Sequence, residues 1–304
     1  MPVPSTTERG AERLTEPVDD IGESPVWRAG EGALYWVDIP GRAIHRLALA
    51  TGRRDSWTTE EMAPCIGFMR DGSILAGMES GLFRLELAQD GRARATRLAS
   101  VAHPMGSMRF NDGRCDRQGR FWAGTMHMGA PAPQPVGSLY RYDPDGSLTG
   151  PLESGLVTQN GLAWSPDGRR MYLSDSHASV NRVWCFDYDR DSGLPGNRRV
   201  FIDMSQHGGR PDGAAVDTAG CYWICANDGG AVLRFTPEGK LDRRLTLPAL
   251  KPTMCAFGGP RLDTLFVTTM KPRDAAQARV QPLAGAVFAL SPGVQGLPEP
   301  EFAH

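Results

Sequence analysis

Short apolar stretches that alternate with polar residues fill most of the chain, and tight turns separate them. In residues 160–176 the apolar Leu162 and Trp164 share one face of an alternating pattern, and Pro-Asp-Gly at 166–168 marks a turn. Such alternation is typical of a β-strand, and such a tripeptide is typical of a tight turn. This segment therefore predicts two antiparallel strands. Because helical periodicity is absent nearly everywhere, the chain is predicted to be all-β.

The strand–turn–strand segment recurs along the chain. When residues 160–176 are aligned without gaps on residues 23–39, three residue types coincide: Trp27 with Trp164, Tyr35 with Tyr172 and Asp38 with Asp175. Weaker or shorter copies complete a series of six units, which begin near Glu23, Cys65, Asn111, Asn160, Asp212 and Met254. The clearest starts lie roughly 44 to 52 residues apart, which is close to the period of propeller blades.

The six-fold repeat predicts a six-bladed β-propeller with four-stranded antiparallel blades. Residues 11–304 are predicted to form this single domain, and residues 1–10 are predicted to be disordered. Residues 12–18 are predicted to form a strand that pairs with the last blade and closes the ring. Four tryptophans near strand centres are predicted to pack between blades: Trp36, Trp122, Trp164 and Trp223.

Composition and charge exclude several classes of protein. Apolar residues make up 40%, charged residues 22%, and the formal net charge is −2, so nothing favours binding to nucleic acid or to a membrane surface. No apolar run approaches the roughly 20 residues of a membrane span, and the N-terminus has no signal-peptide pattern. A cytoplasmic monomer or weak homo-oligomer is expected. The six cysteines lack a paired framework and are predicted to be buried free thiols.

Polar residues open four of the six units. Because the first strand of each propeller blade lines the central channel, we expect these side chains to converge at one mouth: Glu23, Asn111, Asn160 and Asp212. Buried unpaired charges are costly, so two carboxylates and two amides indicate a divalent cation such as calcium, magnesium or manganese. The alternative interpretation is that Asn-Gly and Asp-Gly are turn dipeptides. The common register, and a glutamate where no turn needs one, favour the cation site.

Other candidate side chains receive structural or peripheral interpretations. The run Ser174-Asp-Ser-His177 contains the residue types of a hydrolase triad, but no G-x-S-x-G elbow is present. Asp175 is predicted to orient ligands or to line the pocket. His103 and His127 are placed near the rim of the channel mouth; they are predicted to be solvent-exposed loop residues, with contact to a bound ligand as the alternative.

A set of motifs distributed over residues 12–300 is more specific than any of these features. The motifs are Gly22-Glu-Ser-Pro-Val-Trp27, Arg109-Phe-Asn-Asp-Gly113, Gly119-Arg-Phe-Trp-Ala-Gly-Thr-Met126, Asn160-Gly-Leu-Ala-Trp164, Pro211-Asp-Gly213, Pro252-Thr253 with Phe257-Gly-Gly259, and Pro292-Gly-Val-Gln-Gly-Leu297. Together they resemble the gluconolactonase/regucalcin (senescence marker protein) family of six-bladed propeller lactonases.

The resemblance implies a divalent metal ion held by Glu23, Asn160 and Asp212. It implies that Arg109 and Asn111 contact the substrate, a sugar lactone with a five- or six-membered ring that is hydrolysed to an aldonic acid. Calcium is the expected ion, and zinc, manganese, magnesium and iron are the alternatives.

Elementary chemistry is consistent with this activity. A cation polarises a lactone carbonyl and makes water easier to deprotonate. Asp212 is the candidate general base, a role that competes with its role as a ligand. Arg109 is expected to stabilise the developing oxyanion or to bind hydroxyls, with a surface ion pair as the alternative. The run His127-Met128-Gly129 stands where some family members carry acidic residues that reach the substrate, so the preferred sugar stays open.

Two further functions are compatible with the sequence. One is a related metal-dependent propeller esterase that acts on other lactones or on organophosphates. The other is a metal-binding or protein-interaction propeller without catalysis. The polar residues at the axis argue against the second of these, because an interaction scaffold has no need of them.

Overall fold

The computed structural model describes residues 10–129 and 133–303. They form six four-stranded antiparallel sheets. The inner strands of the sheets contact one another in cyclic order, and the inner strand of the sixth sheet contacts that of the first. The predicted six-bladed β-propeller is therefore confirmed.

The first half of the propeller follows the chain directly. A short strand, β1 (Glu12–Arg13), precedes three blades, each of which runs from its inner to its outer strand. Blade 1 contains β2 (Gly22–Arg28), β3 (Ala33–Asp38), β4 (Ala43–Ala48) and β5 (Arg53–Thr58). Blade 2 contains β6 (Cys65–Phe68), β7 (Ile74–Gly77), β8 (Gly81–Leu87) and β9 (Ala93–Ser100). Blade 3 contains β10 (Met108–Cys115), β11 (Phe121–His127), β12 (Gly137–Tyr142) and β13 (Leu148–Leu156).

The second half repeats this order and ends by recruiting β1. Blade 4 contains β14 (Gln159–Trp164), β15 (Arg170–Asp175), β16 (Arg182–Asp189) and β17 (Leu194–Asp203). Blade 5 contains β18 (Arg210–Val216), β19 (Tyr222–Asn227), β20 (Ala231–Phe235) and β21 (Leu241–Thr246). Blade 6 contains β22 (Pro252–Gly258), β23 (Thr264–Thr269) and β24 (Phe288–Leu290), with β1 as its outer strand.

Helical segments are few and short. Two single turns of 3-10 helix span Ala29–Glu31 and Met204–Gln206, and the helix α1 (Ala275–Val280) lies between β23 and β24. Among the described residues, no helix has the length and apolar character needed to cross a membrane.

The core consists of six apolar clusters, one between each pair of adjacent blades. The four tryptophans predicted to lie there are at most 2% exposed: Trp36, Trp122, Trp164 and Trp223. All six cysteines are buried and free, as predicted. Because each blade covers its apolar faces with its two neighbours, the ring must close for every cluster to be complete.

The N-terminal segment closes the ring. β1 pairs antiparallel with β24, so the predicted closing strand is confirmed, although its ladder is limited to Glu12–Arg13. The Leu14 amide donates to the Val287 carbonyl, and the Val287 amide donates to Thr15 Oγ1. Residues 1–10 were predicted to be disordered. Of these, residues 1–9 lie outside the described part of the chain.

A β-bulge recurs near the start of the inner strand in five of the six blades. In each case two residues of the inner strand oppose a single residue of its partner, as between Glu23 and Val26 or between Asn160 and Ala163. Blades 3, 5 and 6 have the same irregularity, whereas the β6–β7 pair of blade 2 is regular. An extra residue bends a strand and redirects its side chains.

The bulge also refines the predicted register. Glu23 and Asn160 are the last paired residues before it, whereas Asn111 and Asp212 lie inside it. The prediction counted back from the turn glycines and assigned the four residues to one common position. The turns differ in length from blade to blade, so this common register is wrong. The positions of the four residues along the strands differ by one residue.

We expect any side chain at Gly161, in the bulge of blade 4, to lower the free energy of unfolding. Gly161 has a φ of 66°, and a Cβ there would lie 2.5 Å from Ser174 Oγ, whereas Gly155 has a φ of 75° with nothing within 4 Å of the added atom. Gly155→Ala should therefore cost only the left-handed backbone strain, about 1–2 kcal/mol. Gly161→Ala should cost about 1–3 kcal/mol more through overpacking. Urea unfolding of both variants measures the difference, and equal losses would contradict the role given to the bulge.

Candidate functional site

The five residues singled out from the sequence line one cavity on the propeller axis. This central cavity has a volume of about 490 Å³. The predicted residues on its wall come from blades 1, 3, 4 and 5: Glu23, Arg109, Asn111, Asn160 and Asp212. Blade 2 contributes no residue of the described chain to the lining, and its inner strand is the one without a bulge. The convergence predicted from the repeat is therefore present in the structure.

Arg109 and Asn111 form a hydrogen-bonded chain across blades 3 and 4. Arg109 Nη1 donates to Asn111 Oδ1 at 2.7 Å, and Asn111 Nδ2 donates to Asn160 Oδ1 at 3.2 Å. Arg109 is only 8% exposed, so the alternative of a surface ion pair is wrong. Burial lowers the pKa of Arg109 to about 10, and the guanidinium remains charged at neutral pH.

Ser176 determines which way the Asn160 amide faces. Asn160 Nδ2 donates to Ser176 Oγ at 2.6 Å, and Ser176 Oγ donates in turn to the carbonyl of Pro211. The serine can therefore only accept from Asn160, and the carbonyl Oδ1 of the amide is left for Asn111 and the cavity. The sequence offered Ser176 only as part of a triad run, and this orienting role was not predicted.

Asn227 has the corresponding role for Asp212. Asn227 Nδ2 donates to Asp212 Oδ2 at 2.7 Å, and Arg210 Nη2 donates to Asn227 Oδ1 at 3.2 Å. Among the described residues nothing donates to Asp212 Oδ1. Asn227 ends β19, where it is the register partner of Arg210, so the hairpin register of blade 5 is the signal that could have identified it.

The carboxylates of Glu23 and Asp212 both face this cavity, and no hydrogen bond joins them. Glu23 accepts only the amide of Ser24, at 3.2 Å, within the described chain. Burial, followed by the charge of Asp212, raises the pKa of Glu23 well above its ordinary range. Burial likewise raises the pKa of Asp212 to about 7. Both shifts mean that the cavity holds its negative charge only with difficulty when no cation is bound.

These residues fit a divalent cation of the hard type. Glu23 and Asp212 each have a carboxylate oxygen that accepts from no described donor, and Asn160 Oδ1 faces the same space. Carboxylate and amide oxygens are the ligands that calcium and magnesium prefer. Within residues 10–129 and 133–303 no three His, Cys, Asp or Glu side chains form a metal cluster. An ion here would therefore combine two carboxylates with an amide, and water or substrate would complete its shell.

Asp175 does not line the cavity, so the prediction that it lines the pocket is wrong. Its carboxylate accepts the amides of Val157, Thr158 and His177, and it is 1% exposed. Asp38, its equivalent in the repeat, accepts the amides of two residues in the corresponding loop of blade 1. Both aspartates hold the chain that leads into an inner strand.

The histidines also differ from the prediction. His127 is 7% exposed at the end of β11 and accepts the Gln134 amide through Nδ1, so it is not a solvent-exposed loop residue. His103 is half-buried against the carbonyl of Glu79. Of the described histidines, His177 lies on the cavity wall; its Nδ1 contacts Ser179, and Asp175 accepts its backbone amide.

Comparisons with known proteins agree with this architecture and confirm the resemblance inferred from the motifs. A family model described as "SMP-30/Gluconolactonase/LRE-like region" matches residues 21–271. The chain is 39% identical over 286 residues to 6-deoxy-6-sulfogluconolactonase of Pseudomonas putida, covering 93% of this chain and 95% of that protein. It is 35% identical to pentonolactonase XacC of Haloferax volcanii, with 92% and 93% covered.

A solved structure gives the same result in three dimensions. Regucalcin from Agrobacterium tumefaciens, described as a calcium-binding protein, superposes with a TM-score of 0.89 at 31% identity. The superposition covers 98% of this chain and 98% of that chain. The protein therefore belongs to the SMP-30/gluconolactonase/LRE-like family.

Proposed function

We propose that the protein is a divalent-metal-dependent lactonase that hydrolyses sugar lactones, aldono-1,4- or aldono-1,5-lactones, to aldonic acids. The observation that carries the proposal is the convergence of three cation-type oxygens with Arg109 and Asn111 in one cavity. Two relatives bear the names of lactonases, and a structural neighbour is described as calcium-binding, which supports both halves of the proposal.

The metal ion would be held by Glu23, Asn160 Oδ1 and Asp212. We propose calcium, with zinc, manganese, magnesium and iron as the ions to be compared with it. When bound, a divalent cation polarises a carbonyl and lowers the pKa of water. Ser176 and Asn227 serve this site by holding one ligand each in the orientation described above.

Arg109 and Asn111 would position the lactone. Arg109 Nη1 donates to Asn111 and to the carbonyl of Phe110, and its Nε and Nη2 donate to no acceptor among the described residues, so they are available to the substrate. Placed at the carbonyl end, they stabilise negative charge that develops on oxygen as water adds. Asn111 Oδ1 retains a lone pair that can accept a hydrogen bond from a sugar hydroxyl.

Asp212 would act as the base. Its Oδ2 is held by Asn227, so a proton is accepted at Oδ1, which faces the cavity. Water adds to the carbonyl carbon, its proton passes to Oδ1, and the ring C–O bond then breaks. The proton is finally delivered to the ring oxygen, which becomes the hydroxyl of the aldonic acid. A carboxylate can return to the leaving oxygen the proton that it takes from the attacking water.

A lactone panel tests the proposal and separates it from its alternatives. We expect acid release, measured with a pH indicator, from several pentono- and hexonolactones after spontaneous hydrolysis is subtracted. Chelator should abolish it, and added divalent metal should restore it. Faster turnover of simple esters or organophosphates would favour the esterase alternative. Absence of any turnover by metal-loaded protein would favour a propeller without catalysis.

Replacing Asp212 removes the base and a metal ligand together. Asp212→Asn keeps the bond to Asn227 through its amide oxygen and turns an NH2 group toward the cation, so calcium affinity should fall and kcat should fall about 10²- to 10⁴-fold. Asn160→Ala removes a neutral ligand and should retain activity at excess metal. Asp145→Asn, the same chemical change on an exposed turn, is the control and should have no effect. Undiminished turnover by a contaminant-free Asp212→Asn protein would refute the assignment.

Cation affinity should depend on pH with a defined sign. Because burial raises the pKa of Asp212 to about 7 and that of Glu23 well above its ordinary range, protons must leave before a cation binds below neutrality. Calcium affinity measured by calorimetry should therefore rise from pH 6 to pH 8, by up to about tenfold per unit for each proton released. Asp212→Asn should flatten this profile. A wild-type affinity independent of pH would contradict the assigned ligands.

A further inference from the structure

The wall of the central cavity is not uniform in charge. Arg210, Lys251 and Arg273 line it on the side of blades 5 and 6. Apolar side chains from blades 1 and 3 also line it, namely Ile21, Ile39, Met126 and Pro133, and blade 1 adjoins blade 6 through the bridge between Ile21 and Met270. A ligand that carries charge at one end would therefore be oriented by this wall, with that end against blades 5 and 6.

The three cationic residues lie together because of the strand register. Arg210 opens β18, and Asp228, in the turn after β19, accepts from Arg210 Nε at 2.8 Å. Lys251 directly precedes β22, and its Nζ contacts the same carboxylate. Arg273 follows β23, the partner of β22, at the same end of blade 6. Asp228 therefore holds Arg210 and Lys251 side by side.

The available carboxylates do not neutralise this group. Asp228 is one charge against two, and Arg273 forms no ion pair with any described carboxylate. Asp274 also lines the cavity and keeps its charge while its Oδ1 accepts the Gln277 amide, so three cationic side chains face two carboxylates. A divalent cation would offset the charges of Glu23 and Asp212, so the loaded cavity has a positive surplus on the side of blades 5 and 6.

We propose that the substrate is a sugar lactone with an anionic group, a phosphate or a sulfonate, at the end of the sugar remote from the lactone carbonyl. Arg210, Lys251 and Arg273 bind that group while the carbonyl end lies at Glu23 and Asp212. Arginine and lysine donors form charge-assisted hydrogen bonds with such oxygens. This inference rests on the proposed lactonase function and specifies its substrate class.

The accessibility of Arg210 and Lys251 suits this role. The Lys251 side chain is 17% exposed and that of Arg210 is 35% exposed, so a ligand would reach both while remaining partly shielded from solvent, whereas Arg273 is exposed at the rim. Shielding reduces the screening of their charges by salt. Arg210 also contacts Asn227, which holds Asp212, so Lys251 and Arg273 are the residues to vary without disturbing the base.

The first experiment compares three substrates on metal-loaded protein: glucono-1,5-lactone, its 6-phosphate and its 6-deoxy-6-sulfo derivative. We expect kcat/KM for both anionic lactones to exceed that for the neutral lactone by about tenfold or more. The preference should shrink as salt is added. In the variants Lys251→Gln and Arg273→Gln the ratio of anionic to neutral should fall about tenfold, mainly through KM. Arg279→Gln, on the exposed face of α1 and away from the cavity, is the matched control.

The outcomes separate the two proposals. Equal or better turnover of the neutral lactone, or a preference that survives both variants, overturns the anionic subsite and leaves the lactonase intact. If none of the three lactones is hydrolysed, the proposed function fails. Calorimetry with glucitol 6-phosphate and glucitol, neither of which has a lactone bond, then tests the subsite independently. Binding of the phosphate that is lost in Arg273→Gln supports the subsite, and equal affinity for the two compounds refutes it.

Discussion

The bulge near the start of five of the six inner strands is the feature on which the site depends. A regular antiparallel strand directs successive side chains to opposite faces, so a polar residue next to one on the axis would point into the packing between blades. One extra residue breaks that alternation and turns Asn111 and Asp212 toward the same cavity as Glu23 and Asn160. Blade 2 has a regular inner strand, with the buried Cys65 at its start.

The ring supplies rigidity that the polar residues could not provide for themselves. Six apolar clusters fix the blades against one another, and the strand β1 closes the last gap. Within that frame two of the three candidate ligands are oriented by a neighbouring side chain: Asn160 by Ser176 and Asp212 by Asn227. Each contact fixes one atom of the group and directs its other atom toward the cavity, as a preorganised metal site requires.

Charge then divides the cavity into two functional regions. At the axis, buried carboxylates with raised pKa values favour a cation, because a bound cation relieves both their desolvation and their mutual repulsion. Toward blades 5 and 6, Arg210 and Lys251 share a single counter-ion, Asp228, and leave positive charge exposed to a ligand. A substrate with an electrophilic carbonyl at one end and an anion at the other matches both regions at once.

The sequence by itself was sufficient to predict the six-bladed propeller and the polar residues that line its central cavity. The repeat of strand, turn and strand sets six blades, and a propeller brings the starts of its inner strands to one axis, so Glu23, Asn111, Asn160 and Asp212 were predicted together. Arg109 was added by the resemblance of the motifs to a known family. The same counting could not detect a bulge, because an extra residue in a strand resembles a longer turn. For this reason the predicted common register was off by one residue between blades.

Only the tertiary structure determined which side chains support those residues. Ser176 contacts Asn160 across the β14–β15 hairpin, and Asn227 contacts Asp212 across the β18–β19 hairpin. Lys251 of blade 6 contacts Asp228, which also binds Arg210 of blade 5. Asp175 and His127 proved to hold backbone amides rather than to face the cavity. Local pattern predicts the face of a strand on which a side chain lies. The partner it meets there depends on hairpin register and blade packing, which arise from contacts between residues far apart in the chain.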